Sequence, residues 1–176
     1  MIFKETKLKP AYEIELNKRG DERGFFARTF CAEEFSQHGL NTNFVQCNMS
    51  RSTQLHTLRG MHYQVDGAEE SKLIRCTKGS ILDVIIDIRP DSPTFKEHIA
   101  VELSDSNYKM LYVPEGFAHG FITLTEVVEV TYMVSAFYTP NKEQGIRWND
   151  PQFAIEWPTD SPILSEKDAS HSDFSL

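Results

Sequence analysis

Leu82-Asp83-Val84-Ile85-Ile86-Asp87-Ile88-Arg89, followed by Pro90-Asp91-Ser92-Pro93, is the stretch on which the fold reading turns. Leu82, Val84, Ile86 and Ile88 alternate with Asp83, Ile85, Asp87 and Arg89 in the two-residue period of a strand, and the proline-bounded turn closes it. The same period recurs downstream. Ile99, Val101 and Leu103 alternate with His98, Ala100 and Glu102 before a polar turn over 104–107, and a longer run over 127–138 sets Val128, Val130, Tyr132, Val134 and Ala136 on one face. Upstream, residues 3–16 read as extended structure interrupted at Pro10. Residues 17–24 read as a polar loop in which Gly20 and Gly24 bracket Asp21-Glu22-Arg23.

Helical signals are few. Residues 31–40 form the one good candidate in the first half, with Phe35 as apolar anchor and Gly39 near the end. Near the C-terminus, Ser165-Glu166-Lys167-Asp168 has the shape of a helix start, with Ser165 as N-cap and Asp168 as its capping partner three residues on. Strand after strand with Gly and Pro turns, plus a few short peripheral helices, makes an all-β sandwich or barrel, here a jelly roll.

A chain of 176 residues fits one domain with room for a real core. The formal net charge of -8 argues against general nucleic-acid binding, so an anionic ligand has to be caught by a few placed arginines and lysines. No apolar run reaches the roughly 18 residues that span a bilayer. Met1-Ile2-Phe3-Lys4-Glu5-Thr6 lacks the apolar core of a signal peptide, and the expected location is the cytoplasm. Cys31, Cys47 and Cys76 are odd in number and scattered, which suits reduced thiols and gives neither a disulfide framework nor a zinc spacing.

The chemistry concentrates in Leu58-Arg59-Gly60-Met61-His62-Tyr63-Gln64 and in Lys72. Arg59 offers a bidentate grip on an anion, His62 moves a proton near neutral pH, and Lys72 stabilises developing negative charge. Taken alone, such residues are more often a packed ring and a solvated ammonium. A second segment strengthens the functional reading: in Val113-Pro114-Glu115-Gly116-Phe117-Ala118-His119-Gly120-Phe121, a proline and two glycines punctuate the chain around another histidine. Two histidines framed by tight turns suit the inner walls of one small barrel.

Several blocks carry a resemblance: Gly20-Asp-Glu-Arg-Gly-Phe-Phe26, Phe44-Val-Gln46 with Asn48 and Ser50, Leu58 to Gln64, Lys72-Leu-Ile-Arg-Cys-Thr-Lys-Gly79, Asp83-Val with Asp87-Ile-Arg89, Ser92-Pro-Thr-Phe95, Pro114 to Phe121, Trp148-Asn-Asp-Pro151, and Leu164-Ser165 with Lys167-Asp168. In this order, over nearly the whole chain, they resemble the dTDP-4-dehydrorhamnose 3,5-epimerase family, a cupin-type jelly roll, or double-stranded β-helix. The resemblance implies epimerisation of a nucleotide-linked 4-keto-6-deoxyhexose without a redox cofactor. Protons on the carbons flanking the ketone are acidified, so a base removes one, an enolate forms, and a proton returns to the opposite face.

By that resemblance His62 is the base, oriented by Asp168; Lys72 lies near the enolate oxygen and Tyr132 is the acid on the far face of the sugar. Arg59 and Arg23 hold the diphosphate, and His119 lines the same cavity. Gln46, Asn48, Phe137 and Lys167 fall in or beside matching segments and are read as substrate contacts. The resemblance also implies a homodimer that exchanges N-terminal strands, with Arg23 acting in the partner's pocket.

Two other readings compete. Pro114-Glu-Gly116 followed by His119 also fits the second motif of metal-binding cupins, but the next same-face position after His62 is Gln64, and Lys72 repels a cation, so no metal is expected. A non-catalytic sugar-nucleotide binding cupin would lack the base, its carboxylate or the acid, and all three are present. The chain also departs from the family pattern at Arg19, Arg28, Cys47 and Phe137-Tyr138, in segments the resemblance ties to the nucleotide base. An inward Arg28 would suit a CDP or GDP carrier; an outward Arg28 is the usual fate of an arginine on an extended segment. The motifs leave open whether one carbon is inverted or both.

Overall fold

In a computed structural model, which describes residues 1–175, the chain forms thirteen strands and two short α-helices. In order they are β1 (Ile2–Glu5), β2 (Tyr12–Glu15), β3 (Arg19–Asp21), β4 (Gly24–Phe26), α1 (Ala32–Gln37), β5 (Gln46–Ser52), β6 (Leu58–Gln64), β7 (Lys72–Lys78), β8 (Ser80–Asp87), β9 (His98–Ser104), β10 (Met110–Val113), β11 (Phe117–Thr123), β12 (Val128–Val134), β13 (Glu143–Gly145) and α2 (Glu166–Ala169). A six-stranded sheet runs β1-β2-β10-β7-β12-β5, and a five-stranded sheet runs β13-β6-β11-β8-β9. All the strand pairings in them are antiparallel.

The two sheets face each other across one core. Ile74, Cys76, Val128 and Val130 from the first meet Ile81, Ile85, Leu103 and Phe121 from the second. This is the jelly roll that the alternating strands imply. The outer face of the five-stranded sheet is also covered, because Met61, Val84, Ile86 and Ala118 pack under Ile146, Phe153 and Phe174 of the C-terminal segment. On the other sheet, Phe35 of α1 packs with Ile14, Leu73, Met110 and Tyr112. Among the described residues, no helix is long and apolar enough to cross a membrane.

Coverage on both sides changes what the alternation in β8 means. Period two usually marks a strand with one wet face, yet Asp83 and Asp87 are as inaccessible as Val84 and Ile86. Both acids therefore need partners. Asp87 accepts from Arg89 Nε (2.8 Å) and Nη2 (2.7 Å), from Ser92 Oγ, and from Thr94 Oγ1 at 2.7 Å. Burial pushes its carboxyl up, but these donors outweigh burial and hold it down at about 2.

Three local expectations are corrected. The polar run over 17–24 is mostly a hairpin, β3 paired with β4 around Glu22-Arg23, rather than a loop. The helix over 31–40 shortens to α1, with Cys31 at its N-cap and Gly39 at φ +69 just beyond its end. The strand over 127–138 stops at Val134.

Strands β6 and β11 bring His62 and His119 directly opposite each other, and the register shifts just past His119. The backbones approach too closely there for side chains. A Cβ on Gly60, whose φ is +128, would lie 2.5 Å from Gly120 Cα and 2.9 Å from the His119 carbonyl oxygen; one on Gly120 would lie 2.9 Å from the Arg59 carbonyl oxygen. Glycine is required at this crossing. Gly60→Ala should cost about 3 kcal/mol or more by overpacking and backbone strain, read as a lower urea midpoint. An unchanged midpoint would show that the two strands separate freely.

Candidate active site

A cleft opens between the sheets where β6 and β11 face β7 and β12. One lobe, of about 350 Å3, is lined by Gln46, Asn48, Gln64, Glu70, Tyr138 and Glu143 among others; a second, of about 270 Å3, is lined by Ser50, Arg59, His119, Ser165, Lys167 and Asp168 among others. His62, Lys72 and Tyr132 line both lobes and so sit where they join. Strand assignment divides their roles. His62 and His119 belong to the five-stranded sheet, whereas Lys72 and Tyr132 belong to the six-stranded sheet. A ring held between them has an imidazole on one side and a phenol on the other.

His62 Nε2 lies 2.7 Å from Asp168 Oδ1, a contact spanning 106 residues. α2 makes it possible: the Ser165 hydroxyl accepts from the Asp168 backbone N–H at 3.1 Å. The sequence pattern offered the Asp168 side chain to the cap, but only half of that arrangement forms, and the carboxylate turns to the histidine instead. Burial pushes the Asp168 carboxyl up, but the hydrogen bond and charge of His62, with contributions from Ser165 and the Gly60 backbone, hold it below the usual carboxylate range. An ionised carboxylate only accepts, so His62 donates through Nε2–H, and in the neutral ring the free lone pair is the one on Nδ1.

A second pair of the same kind lies beside it. His119 Nε2 is 2.7 Å from Asp83 Oδ1, and Asp83 is wholly buried. Lys72 is buried with its Nζ 3.1 Å from Glu70 Oε1, and Lys167 Nζ is 2.5 Å from Glu143 Oε2. Tyr132 is pushed above its ordinary range by burial first and by the charges of Glu70 and Glu143, against Arg59. Its phenol is a neutral donor at pH 7.

Gln46 and Asn48 on β5 line the first lobe, Asn48 directly across from Tyr132. Arg59 borders the second lobe, held by Ser52 Oγ and the Arg51 carbonyl, both at 3.3 Å. Three expected contacts are not brought to this cleft. Arg23 is largely exposed and pairs with Asp21 at 2.6 Å; Arg28 donates to Glu34 at 2.7 Å, in a separate groove by the N-terminus. Phe137 points outward, 68% exposed, because β12 ends at Val134 and the irregular chain beyond it turns Tyr138 toward the first lobe instead.

Glu70, Glu143 and His171 neighbour the site without a signal in the sequence, while Tyr138, read as a family departure beside the nucleotide base, and Ser165, read as an N-cap, also line it. Glu143 arrives on β13, which pairs Glu143 with Gln64 and Gly145 with His62, yet its three residues carry no strand pattern. His171 lines neither lobe. It stands behind the dyad, its Nε2 3.7 Å from Asp168 Oδ1 and its ring edge-on to His62 at 5.7 Å between centroids.

The sequence profile of the family described as dTDP-4-dehydrorhamnose 3,5-epimerase matches residues 5–175. The chain belongs to the dTDP-4-dehydrorhamnose 3,5-epimerase family. An epimerase of that name from Shigella flexneri is 45% identical over 156 residues, covering 88% of this chain and 86% of the relative. The crystal structure of the Bacillus anthracis dTDP-4-dehydrorhamnose 3,5-epimerase with TDP and PPi bound superposes with a TM-score of 0.95 at 41% identity, over 98% of this chain and 99% of that one. A Legionella pneumophila 3,5-epimerase in complex with dTDP-4-keto-L-rhamnose gives 0.91 at 39%, over 98% and 92%. Within the epimerase family fold, then, the two lobes of this chain meet at His62, Lys72 and Tyr132.

Because the folded Asp168 carboxyl titrates below its unfolded value, its contribution to stability is complete above the unfolded value and is lost as pH falls through the folded one. Asp168→Asn should be less stable than wild type by on the order of 1–2 kcal/mol at pH 7. In urea titrations the gap should close as pH drops below about 4. A gap constant down to pH 2 would mean that Asp168 is not held ionised by His62.

Proposed function

We propose that this chain epimerises a dTDP-linked 4-keto-6-deoxyhexose, with His62 as the base and Tyr132 as the acid on the opposite wall. The observation that carries the reading is the His62–Asp168 hydrogen bond at the junction of the two lobes. His62 Nδ1 takes a proton from a carbon next to the ketone, and Asp168 stabilises the resulting imidazolium. Negative charge moves to the ketone oxygen, where Lys72 favours the enolate over the neutral ketone. The Tyr132 hydroxyl returns a proton from the far face, which inverts the carbon. Every group in this cycle is a proton carrier or a fixed charge.

The second lobe suits the diphosphate. Arg59 and Lys167 border it, and Ser50 Oγ is buried there with no hydrogen-bond partner among the described residues. The dTDP carrier follows the relatives' names, and the Arg28–Glu34 pairing gives no reason to prefer CDP or GDP. Inversion at both carbons is likewise the reading those names favour. Reduced Cys31, Cys47 and Cys76 fit a cytoplasmic setting.

A single domain assembled as a homodimer with exchanged N-terminal strands completes this reading. Phe26 (70% exposed) and Met49 on the edge strand β5 (65%) leave apolar surface to be covered, and Arg23 then acts in the partner's cleft. Sedimentation should report a dimer, and Arg23→Ala should raise KM more than it lowers kcat. A monomeric, fully active enzyme would rule the exchange out.

The function itself is tested by His62→Ala with a dTDP-linked 4-keto-6-deoxyhexose, followed by NMR. Turnover should fall about 100- to 10,000-fold, the contribution of a positioned base, while dTDP affinity stays within about threefold because the base acts on the transition state. Wild-type turnover in the variant would place the base elsewhere.

A further inference from the structure

We infer that His62 Nε2, Asp168 Oδ1 and a ring nitrogen of His171 form a site for a divalent transition-metal ion such as Zn2+, and that a metal bound there silences the base. One ligand atom from each of the three residues lies within 4.8 Å of the others. Two imidazoles and one carboxylate are a donor set that suits zinc, cobalt or nickel. Bonds of about 2.1 Å in a tetrahedron need ligand atoms about 3.4 Å apart. Two of the three separations bracket that, 2.7 Å from His62 to Asp168 and 3.7 Å from His171 to Asp168, and the third is within 4.8 Å. A small opening of the dyad and a swing of the His171 ring bring all three into range.

One observation points to a ligand, and a second shows that the backbone makes room for the imidazole that would hold it. His171 Nε2 is buried and has no hydrogen-bond partner among the described residues, an unsatisfied state that coordination would relieve. Its ring also lies flat against Gly145, where any Cβ would overlap it, so the backbone opposite His62 is shaped to admit this second imidazole. The lysines nearest the site do not repel a cation unopposed, since Lys167 pairs with Glu143 and Lys72 with Glu70. Solvent reaches the cluster through His62 and His171, whose side chains are 28% and 14% exposed.

The consequence follows from the tautomer. In the resting dyad Nε2 carries the proton that Asp168 accepts, and Nδ1 holds the free lone pair. A metal takes the Nε2 lone pair in place of that proton. The neutral imidazole then carries its one proton on Nδ1: one proton leaves Nε2, one is taken up at Nδ1, and the ring stays uncharged. The base nitrogen has no lone pair left. This inhibitory half rests on His62 being the base; metal binding does not.

Two readouts on the full chain separate the halves: Co2+ binding, by its visible absorption and its displacement by Zn2+, and turnover with and without Zn2+ and a chelator. Both are measured in wild type, His171→Ala and the size-conserving His171→Asn. Wild type should give a tetrahedral cobalt spectrum and lose turnover in Zn2+, with recovery on chelation. Measured against its own metal-free turnover, each variant should bind at least about tenfold more weakly and stay active at a Zn2+ level that silences wild type. No cobalt spectrum in wild type, or equal binding in the variants, overturns the site. Binding that depends on His171 but leaves turnover intact upholds the site and overturns His62 as the base.

Discussion

The hydrogen bond between His62 and Asp168 joins the sixth strand to the last helix across 106 residues, and the cleft's geometry depends on it. Closing so long a loop costs chain entropy that one hydrogen bond does not return. Packing supplies the difference. Ile146, Phe153 and Phe174 lie on the outer face of the five-stranded sheet, Thr57 and Ile163 form a parallel bridge, and Ser165 caps α2 so that Asp168 arrives in a fixed orientation. The C-terminal segment is therefore a wall of the cleft and the support of its carboxylate.

Electrostatics follows the same logic at short range. A chain of net charge -8 gathers Arg59, His62, Lys72, His119 and Lys167 around one cleft. Most are matched by a nearby acid: Lys72 by Glu70, Lys167 by Glu143, His62 by Asp168 and His119 by Asp83. Charges already oriented by partners need little rearrangement when negative charge develops on a substrate, which makes such a site effective. Among the described residues Arg59 is held only by Ser52 and a carbonyl, so it remains available to an anion. Buried acids elsewhere, Asp87 above all, serve the turns that fix strand ends.

Much of the architecture was legible because a strand's period is short and local. Val128, Val130, Tyr132 and Val134 declare a common face wherever the sheet lies, and β12 places them so. Local pattern fails where long-range packing decides. Asp83 and Asp87 look like solvent-facing residues until a second layer covers the sheet, and β13 is defined by its pairing with β6 rather than by a pattern of its own. In the cleft, the motifs pointed to His62, Lys72 and His119 and the family resemblance to Tyr132, and the fold gathers all four together. Phe137 failed because β12 ends at Val134, so the alternation of the strand no longer decides which side chain faces the cleft. The Asp168 side chain was ambiguous because cap and dyad use the same backbone geometry, and only tertiary structure chooses between them. Arg23 and Arg28 sit on the β3–β4 hairpin and the segment after it, where nearby acids, Asp21 and Glu34, hold them away from the cleft.

The central claim is that a proton next to a ketone leaves to His62 and another returns from the opposite face. Deuterium incorporation from D2O into a dTDP-linked 4-keto-6-deoxyhexose, read by NMR at the carbons flanking the ketone, tests it most directly. The account predicts solvent deuterium at both carbons, each exchange depending on His62. Inversion without deuterium uptake, or no exchange at either carbon, would contradict it.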